Sequence, residues 1–313
     1  MILITGGLGF IGLHTARALL DMGEDLVLTQ YRVHREPDFI KDALGKRAFV
    51  EQLDVTDADR LMEIGKRYEI DKIVHLAVPG VNALGPAEDF RVNMLGLINI
   101  LEAARTWEVK RLGLASSIAV YTGVNPGPFY EDMPLRPVGT NPTETYKKTF
   151  EIIGSHYAQR TGLEVVMLRI AGIYGPLYHS MANLPSRLVH AAVKGQEPDF
   201  RGADVFEEDA TDMCYVKDCG RGVAMVMRAE SLPNRVYNIG AGRATSNREL
   251  VAAIKRVIED APIQLKAGRN PGARENAYCD LTRTRRDVGY EPQYTIETAI
   301  EDYVGWLRAG NEQ

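Results

Sequence analysis

Cysteine is scarce: the chain has three in 313 residues, Cys214, Cys219 and Cys279, with no Cys-x-x-Cys spacing. An odd count without paired spacing does not make a disulfide framework, so free thiols in a reducing compartment are expected. The six histidines are scattered and none forms His-x-x-x-His or His-Glu-x-x-His; no metal site is expected. Long basic runs are missing too. Lys and Arg total 37 against 42 Asp and Glu, a net charge of -5, which makes nucleic acid and anionic membranes poor partners. No apolar run is long enough to span a bilayer. Met1 to Leu20 is apolar but lacks a basic flank and is broken by Gly6, Gly7, Gly9 and Gly12, so it reads as a strand and a glycine turn, and a cytoplasmic location is expected.

What is present is an ordinary globular composition, 45% hydrophobic and 25% charged, in which short apolar runs alternate with helical patterns. Strands are expected at Ile2-Leu3-Ile4, Leu26-Val27-Leu28, Phe49-Val50, Lys72 to Ala77, Arg111 to Ser116 and Val165 to Arg169. Helices are expected over Phe10–Met22, Ala87–Trp107 and Asn141–Arg160, with Thr56-Asp57 as a cap. That alternation predicts an α/β fold with a doubly wound, mostly parallel Rossmann-type sheet. After Tyr174, Gly175-Pro176, Leu184-Pro185 and Gly202 loosen the pattern. The expected division is a dinucleotide-binding domain over 1–172, rejoined by 213–241, and a substrate-binding region over 173–212 and 242–313.

The first strand runs into Gly6-x-x-Gly9-x-x-Gly12. Gly6 permits the tight turn, Gly9 lets backbone approach a pyrophosphate, and Gly12 lets the helix pack on the sheet. Free N–H groups at the helix start then face phosphate. An acid at the end of the second strand would mark NAD. The chain has Thr29-Gln30-Tyr31-Arg32 there. The Gln30 amide can bond a ribose hydroxyl, and Arg32 or Arg35 can meet a 2′-phosphate. The cofactor is therefore NAD or NADP, with a lean to NADP.

These features, with Leu53-Asp54-Val55, His75-Leu76-Ala77, Val92-Asn93-Met94-Leu95-Gly96, Ser116 to Tyr121, Arg169 to Pro176, Asp212 to Asp218 and Val236 to Gly240, resemble the NAD-dependent epimerase/dehydratase family of extended short-chain dehydrogenases/reductases. The resemblance covers nearly the whole chain. It implies cofactor contacts at Gly6, Gly9, Phe10, Ile11, Gly12, Asp54, Val55, Leu76, Ala77, Asn93 and Lys147, with Asp54 and Val55 flanking adenine. It implies a catalytic hydroxyl at Ser117, and substrate contacts from Ser117, Tyr174, His179, Asn183 and Arg269. Asp212-Met213-Cys214-Tyr215 matches an Arg-Asp-Phe-x-Tyr segment, with Thr211 in place of its arginine. A homodimer through the two long helices is also implied.

One departure matters. The family's chemistry uses Tyr-x-x-x-Lys on one helix, whose lysine lowers the tyrosine's pKa. In the matching register this chain carries Thr143-x-x-x-Lys147, while Tyr146 precedes Lys147 directly, about 100° around the helix. Three routes stay open: another base (Tyr146, Tyr174, Tyr178 or His179), water held by Lys147 and Ser117, or loss of the redox chemistry. Ile118-Ala119 supplies no acid for sugar dehydration, so the pattern lies nearest the sugar 4-epimerases and simple reductases. The expected function is an NAD(P)-dependent epimerase or oxidoreductase acting on a sugar or polyol, nucleotide-linked, by hydride transfer at a carbinol carbon. The alternatives are an NADP-dependent reductase of a non-sugar carbonyl and a cofactor-binding protein without turnover.

Overall fold

The computed structural model describes residues 1–32, 37–80 and 83–311. Seven parallel strands form the central sheet: β1 (Ile2–Thr5), β2 (Leu26–Gln30), β3 (Ala48–Gln52), β4 (Lys72–His75), β5 (Arg111–Ser117), β6 (Val165–Ile170) and β10 (Val236–Ile239). Their order is β10-β6-β5-β4-β1-β2-β3. Helices α1 (Phe10–Asp21), α2 (Ala58–Arg67), α3 (Pro86–Thr106), α4 (Pro142–Thr161) and α6 (Val216–Arg228) cover both faces. The α/β, doubly wound sheet expected from the alternation is therefore present.

Strand residues sort by parity, as a pleated sheet buried on both sides requires. Ile2, Ile4, Leu26 and Leu28 join one apolar cluster, whereas Leu3 and Val27 join the other. Each such fully buried aliphatic side chain is worth about 1.5–3 kcal/mol. Asp57 caps α2 by accepting from the Arg60 N–H at 2.9 Å, as its position before the apolar stripe predicts.

The chain leaves β1 toward β2 and β3, then crosses back to place β4 on the other side of β1. This reversal opens a crevice at the strands' carboxyl ends, where open α/β sheets bind ligands. Gly6 turns there with φ +67°. A Cβ on Gly12 would stand 2.3 Å from the Gly6 carbonyl oxygen, so the turn admits no larger residue at that position.

Beyond the sheet, β7 (Gly172–Tyr174) pairs with β9 (Met213–Tyr215), and β8 (Ala210–Thr211) with β11 (Thr245–Ser246). Helices α5 (Leu184–Val193), α7 (Asn247–Val257) and α9 (Ile296–Arg308) enclose a third cluster around Leu188, Leu250, Ile254 and Ile300, and α8 (Thr282–Val288) packs on β10. The stretch that looks irregular in sequence thus contains α5, whose cap is Asn183. Buried Asp212 stitches these parts together, accepting from the Ala241 N–H at 2.7 Å and the Cys279 N–H at 3.1 Å. Burial pushes its carboxyl up to about 6, against those two bonds. Among the described residues no helix is long and apolar enough to cross a membrane, and no cluster of His, Cys, Asp or Glu is built to hold a metal.

A buried ion pair sets the position of α4. Glu151 of α4 accepts from Arg169 of β6 through Nε at 2.9 Å and Nη2 at 2.7 Å, and from Ser116 Oγ at 2.5 Å. Arg169 Nη1 also donates to the Tyr121 hydroxyl and the Glu131 carbonyl, each at 2.9 Å. Tyr121 in turn donates to Asn238 Oδ1 of β10 at 2.9 Å. Replacing Arg169→Met strips Glu151 of its partner in a site with almost no water access. Chemical denaturation should then show a loss of about 3–5 kcal/mol.

Candidate active site

Two cavities flank the glycine turn and share Gly6 and Val78 as lining residues. The first, about 540 Å³, is bounded by Thr29, Tyr31, Arg32, Leu53, Asp54, Val55, Asn93 and Gly96. The second, about 350 Å³, is lined by Gly9, Phe10, Ile11, Gly12 and Leu76 together with Ser117, Thr143, Lys147, Ile170 and Tyr178. A third, about 220 Å³, abuts the second across Ile173 and contains Tyr174, Asn183, Thr211 and Asp212. Two chambers joined at a phosphate-binding turn match the two nucleoside halves of a dinucleotide.

The first chamber has fixed walls. Asn99 of α3 donates to the Val55 carbonyl at 2.9 Å, which holds the Asp54-Val55 edge against the helix. Asn93 spends its amide on Asp89, donating to the backbone carbonyl at 2.8 Å and to Oδ1 at 3.0 Å. Ala77 donates to Thr5 Oγ1 at 3.3 Å, and Thr5 meets His75 Nδ1 at 2.7 Å. His75 is fully enclosed. Burial, then the positive charge of Lys147, push its imidazole down to about 3, so it is neutral at physiological pH.

Gln30 does not reach this chamber. It ends β2 with its side chain buried, and Tyr31 and Arg32 form the rim in its place. This differs from the ribose contact expected of it, because the pleat sends alternate side chains to opposite faces. Arg32 lies over the Tyr31 ring at 4.7 Å. Arg35 lies outside the described residues. Sequence reading missed Arg91 at this rim, where it pairs with Glu88.

In the second chamber, α4 carries Thr143, Lys147 and Glu151 one turn apart on one face. Lys147 is only 9% exposed, and its ammonium makes no hydrogen bond or ion pair among the described residues; Nζ stands 5.1 Å from the Phe150 ring centroid. Burial lowers its pKa from the ordinary 10.5 to about 8. An unpaired cation held this way is costly in the free protein and is suited to an electron-rich ligand. Ser117 ends β5 and accepts from the Ala119 N–H at 3.1 Å. It caps the turn that follows while its hydroxyl proton stays available to the chamber.

The alternative bases separate cleanly. Tyr146 packs, partly buried, against the apolar cluster under α3 and α4, and burial, then a hydrogen bond to Asp89, raise its pKa. Tyr174 is buried against Tyr215, ring centroids 5.5 Å apart, and lines the third cavity. His179 is exposed and lines none of the three. Tyr178 alone of the four joins Ser117, Thr143 and Lys147.

Asn183 and Tyr174 both line the third cavity, but the Asn183 side chain is committed to structure. It accepts from the Ser186 N–H at 2.8 Å and donates to the Ile173 carbonyl at 2.7 Å. Arg269 lies apart. It is exposed and donates to the Arg274 and Ala273 carbonyls of its own loop, because a short surface loop turns its guanidinium inward on itself. No lysine or arginine lines the third cavity.

The sequence profile of the NAD dependent epimerase/dehydratase family matches residues 2–240. The chain belongs to that family. It is similar to the low-salt glycan biosynthesis protein Agl12 of Haloferax volcanii, 26% identical over 99% of each chain. It is also similar to a putative UDP-glucose 4-epimerase of Methanocaldococcus jannaschii, 27% identical over 99% of each. Among solved structures, the UDP-glucose 4-epimerase of Thermus thermophilus, in complex with NAD, superposes with a TM-score of 0.80 at 27% identity over 98% of each chain. This member of the epimerase/dehydratase family is thus an enzyme with a lysine at the centre of its cleft and threonine one turn before it.

The buried lysine has a stability signature. Its folded pKa is depressed, so the fold favours neutral Lys147; that contribution is complete above pH 10.5 and is lost as pH falls through about 8. At neutral pH the cost is on the order of 3 kcal/mol. Lys147→Met should therefore raise the melting temperature of the dinucleotide-free protein by a few degrees at pH 7. The gap should close as pH rises from 8 to 10.5, and dinucleotide affinity should fall. Calorimetric scans across that range check the sign.

Proposed function

We propose that the enzyme inverts a carbinol centre of a nucleotide-linked sugar with a bound nicotinamide dinucleotide. The observation that carries this reading is the unpaired Lys147 ammonium in a chamber that opens directly onto the glycine turn. In this reading the bound nicotinamide supplies the hydride acceptor. Gly6, Gly9 and the start of α1 hold the pyrophosphate. Asp54 and Val55 bracket the adenine, Lys147 holds the ribose hydroxyls beside the nicotinamide, and Ser117 orients the substrate hydroxyl. Residues 1–172 and 213–241 bind the dinucleotide, and 173–212 with 242–313 bind the substrate. The Thermus thermophilus relative in complex with NAD supports NAD as the cofactor.

A second reading has its own support. Arg32 at the rim of the first chamber suits a 2′-phosphate, and the third cavity has no cation for a diphosphate, with Thr211 lining it and Arg269 turned to its own loop. Those features favour an NADP-dependent reductase of a carbonyl without a nucleotide. Mass spectrometry of small molecules released on denaturation separates the two. Retained NAD, with or without a nucleotide sugar, is the expected result. An empty protein that binds NADP at micromolar concentration, more weakly by about tenfold after Arg32→Glu, would establish the reductase instead. Binding of neither dinucleotide would overturn both.

The reading includes a homodimer through α3 and α4, which expose Phe90, Ile98 and Ile152 at 58%, 50% and 69%. Such apolar side chains on two adjacent helices suit a self-complementary interface. Light scattering should give twice the chain mass, and Ile98→Glu combined with Ile152→Glu should give the monomer.

A further inference from the structure

We propose that Tyr178 is the catalytic acid–base of this enzyme, filling from the loop after β7 the role for which α4 offers only Thr143. The inference rests on the redox reading above and deepens it. A threonine hydroxyl does not ionise near neutrality, and its reach is shorter than a phenol's by most of a ring. Ser117 has the same hydroxyl chemistry and already accepts from Ala119. Of the residues lining the second chamber, only Lys147 and Tyr178 carry ionisable side chains. Lys147 is a cation there, the natural electrostatic partner of a phenolate.

The fold takes trouble to place this ring. Tyr178 follows β7 on a loop whose Pro176 carbonyl accepts from His14 Nε2 of α1 at 3.2 Å. Since a carbonyl only accepts, Nε2 carries the proton; burial, chiefly, lowers the His14 pKa to about 4, so the ring stays neutral. Leu177, the residue between, is fully buried with φ +70°, a conformation that costs a leucine free energy and persists where surrounding packing enforces it. The Tyr178 ring then lies against Phe10, centroids 4.7 Å apart at 55°, and Phe10 is the first residue of the helix that follows the glycine turn. The phenol is thus registered to the same helix that receives the pyrophosphate. It is half-buried, and its hydroxyl has no hydrogen-bond partner among the described residues. Arg187 of α5 is close enough to interact electrostatically with the phenol.

In the forward step the phenol first releases its proton to water. The substrate's carbinol O–H bond then breaks and its proton passes to the phenolate oxygen. The C–H bond gives its electron pair and hydrogen to the bound dinucleotide, and the C=O double bond forms. In the reverse step the carbonyl carbon takes back the hydrogen with its electron pair, the C=O double bond becomes single, and the phenol's proton passes to the oxygen, which restores the phenolate.

Two measurements on the full-length protein test the assignment. Tetranitromethane nitrates phenolates, and peptide mass spectrometry reads each tyrosine separately. At pH 7, nitration of Tyr178 should slow at least threefold in Lys147→Met, while that of exposed Tyr130 is unchanged; equal Tyr178 rates in the two proteins would overturn the pairing. Separately, Tyr178→Phe should keep its dissociation constant for NAD within threefold of the parent, by calorimetry. It should lower kcat for interconversion of UDP-glucose and UDP-galactose at least a hundredfold, with KM little changed. Retention of kcat within threefold would overturn the role of Tyr178 and leave the redox reading standing. A parent protein that binds no dinucleotide would instead remove the redox reading, and the nitration result alone would then decide the Lys147–Tyr178 pairing.

Discussion

The geometry of the cleft depends on the bidentate contact between Glu151 and Arg169. It is made across a layer boundary, from helix α4 to strand β6, where both side chains are largely buried. Two opposite charges removed from water stabilise a fold only when their remaining hydrogen-bond capacity is met. Here Ser116, Tyr121 and the Glu131 carbonyl meet it. The contact therefore specifies the rotation of α4 more than it adds stability. One turn along the same face stands Lys147, and one turn further Thr143. Rotating the helix to relieve the pair would turn both away from the chamber.

Against that satisfied network, Lys147 stands out as a deliberate exception. Nearly every other buried charge has a partner: Glu144 with Lys148, Asp218 with the Gln293 and Tyr294 backbone, Arg111 with the carbonyls that end α6. Lys147 has the face of the Phe150 ring and an opening. The same desolvation that makes it costly in the free protein strengthens its grip on any electron-rich group that enters, because a charge in a low-dielectric cleft acts undamped. The neutral His75 behind it adds no competing charge. The chamber is a polar point in an apolar enclosure, the arrangement expected where catalysis depends on a preformed electrostatic environment.

Sequence and structure diverge at residues whose role depends on orientation. The parallel sheet and its flanking helices were legible because continuous apolar runs, the mark of strands buried on both faces, and the 3.6-residue helical period are local properties of the chain. The glycine turn was legible because Gly6 and Gly12 are sites where a side chain has no room. Ser117, Thr143 and Lys147 could be placed in one site by register along a resembling family. Gln30 and Arg269 show where this kind of reading stops. The first has the right position and the wrong face; the second has the right charge and turns it on its own loop.

The amino-acid sequence by itself determined the fold class, the dinucleotide turn and the substitution of threonine for tyrosine before Lys147, since each is written in residue type and short-range spacing. Only the tertiary structure decided which of four candidate bases shares a chamber with that lysine. Tyr146 is adjacent to Lys147 in sequence yet faces α3, while Tyr178 is thirty-one residues away and lines the same cavity. That outcome follows from a helix rotating each successive side chain by about 100° and from a loop held across the fold by His14 and Phe10. Both are constraints of packing at long range, and no local pattern encodes them.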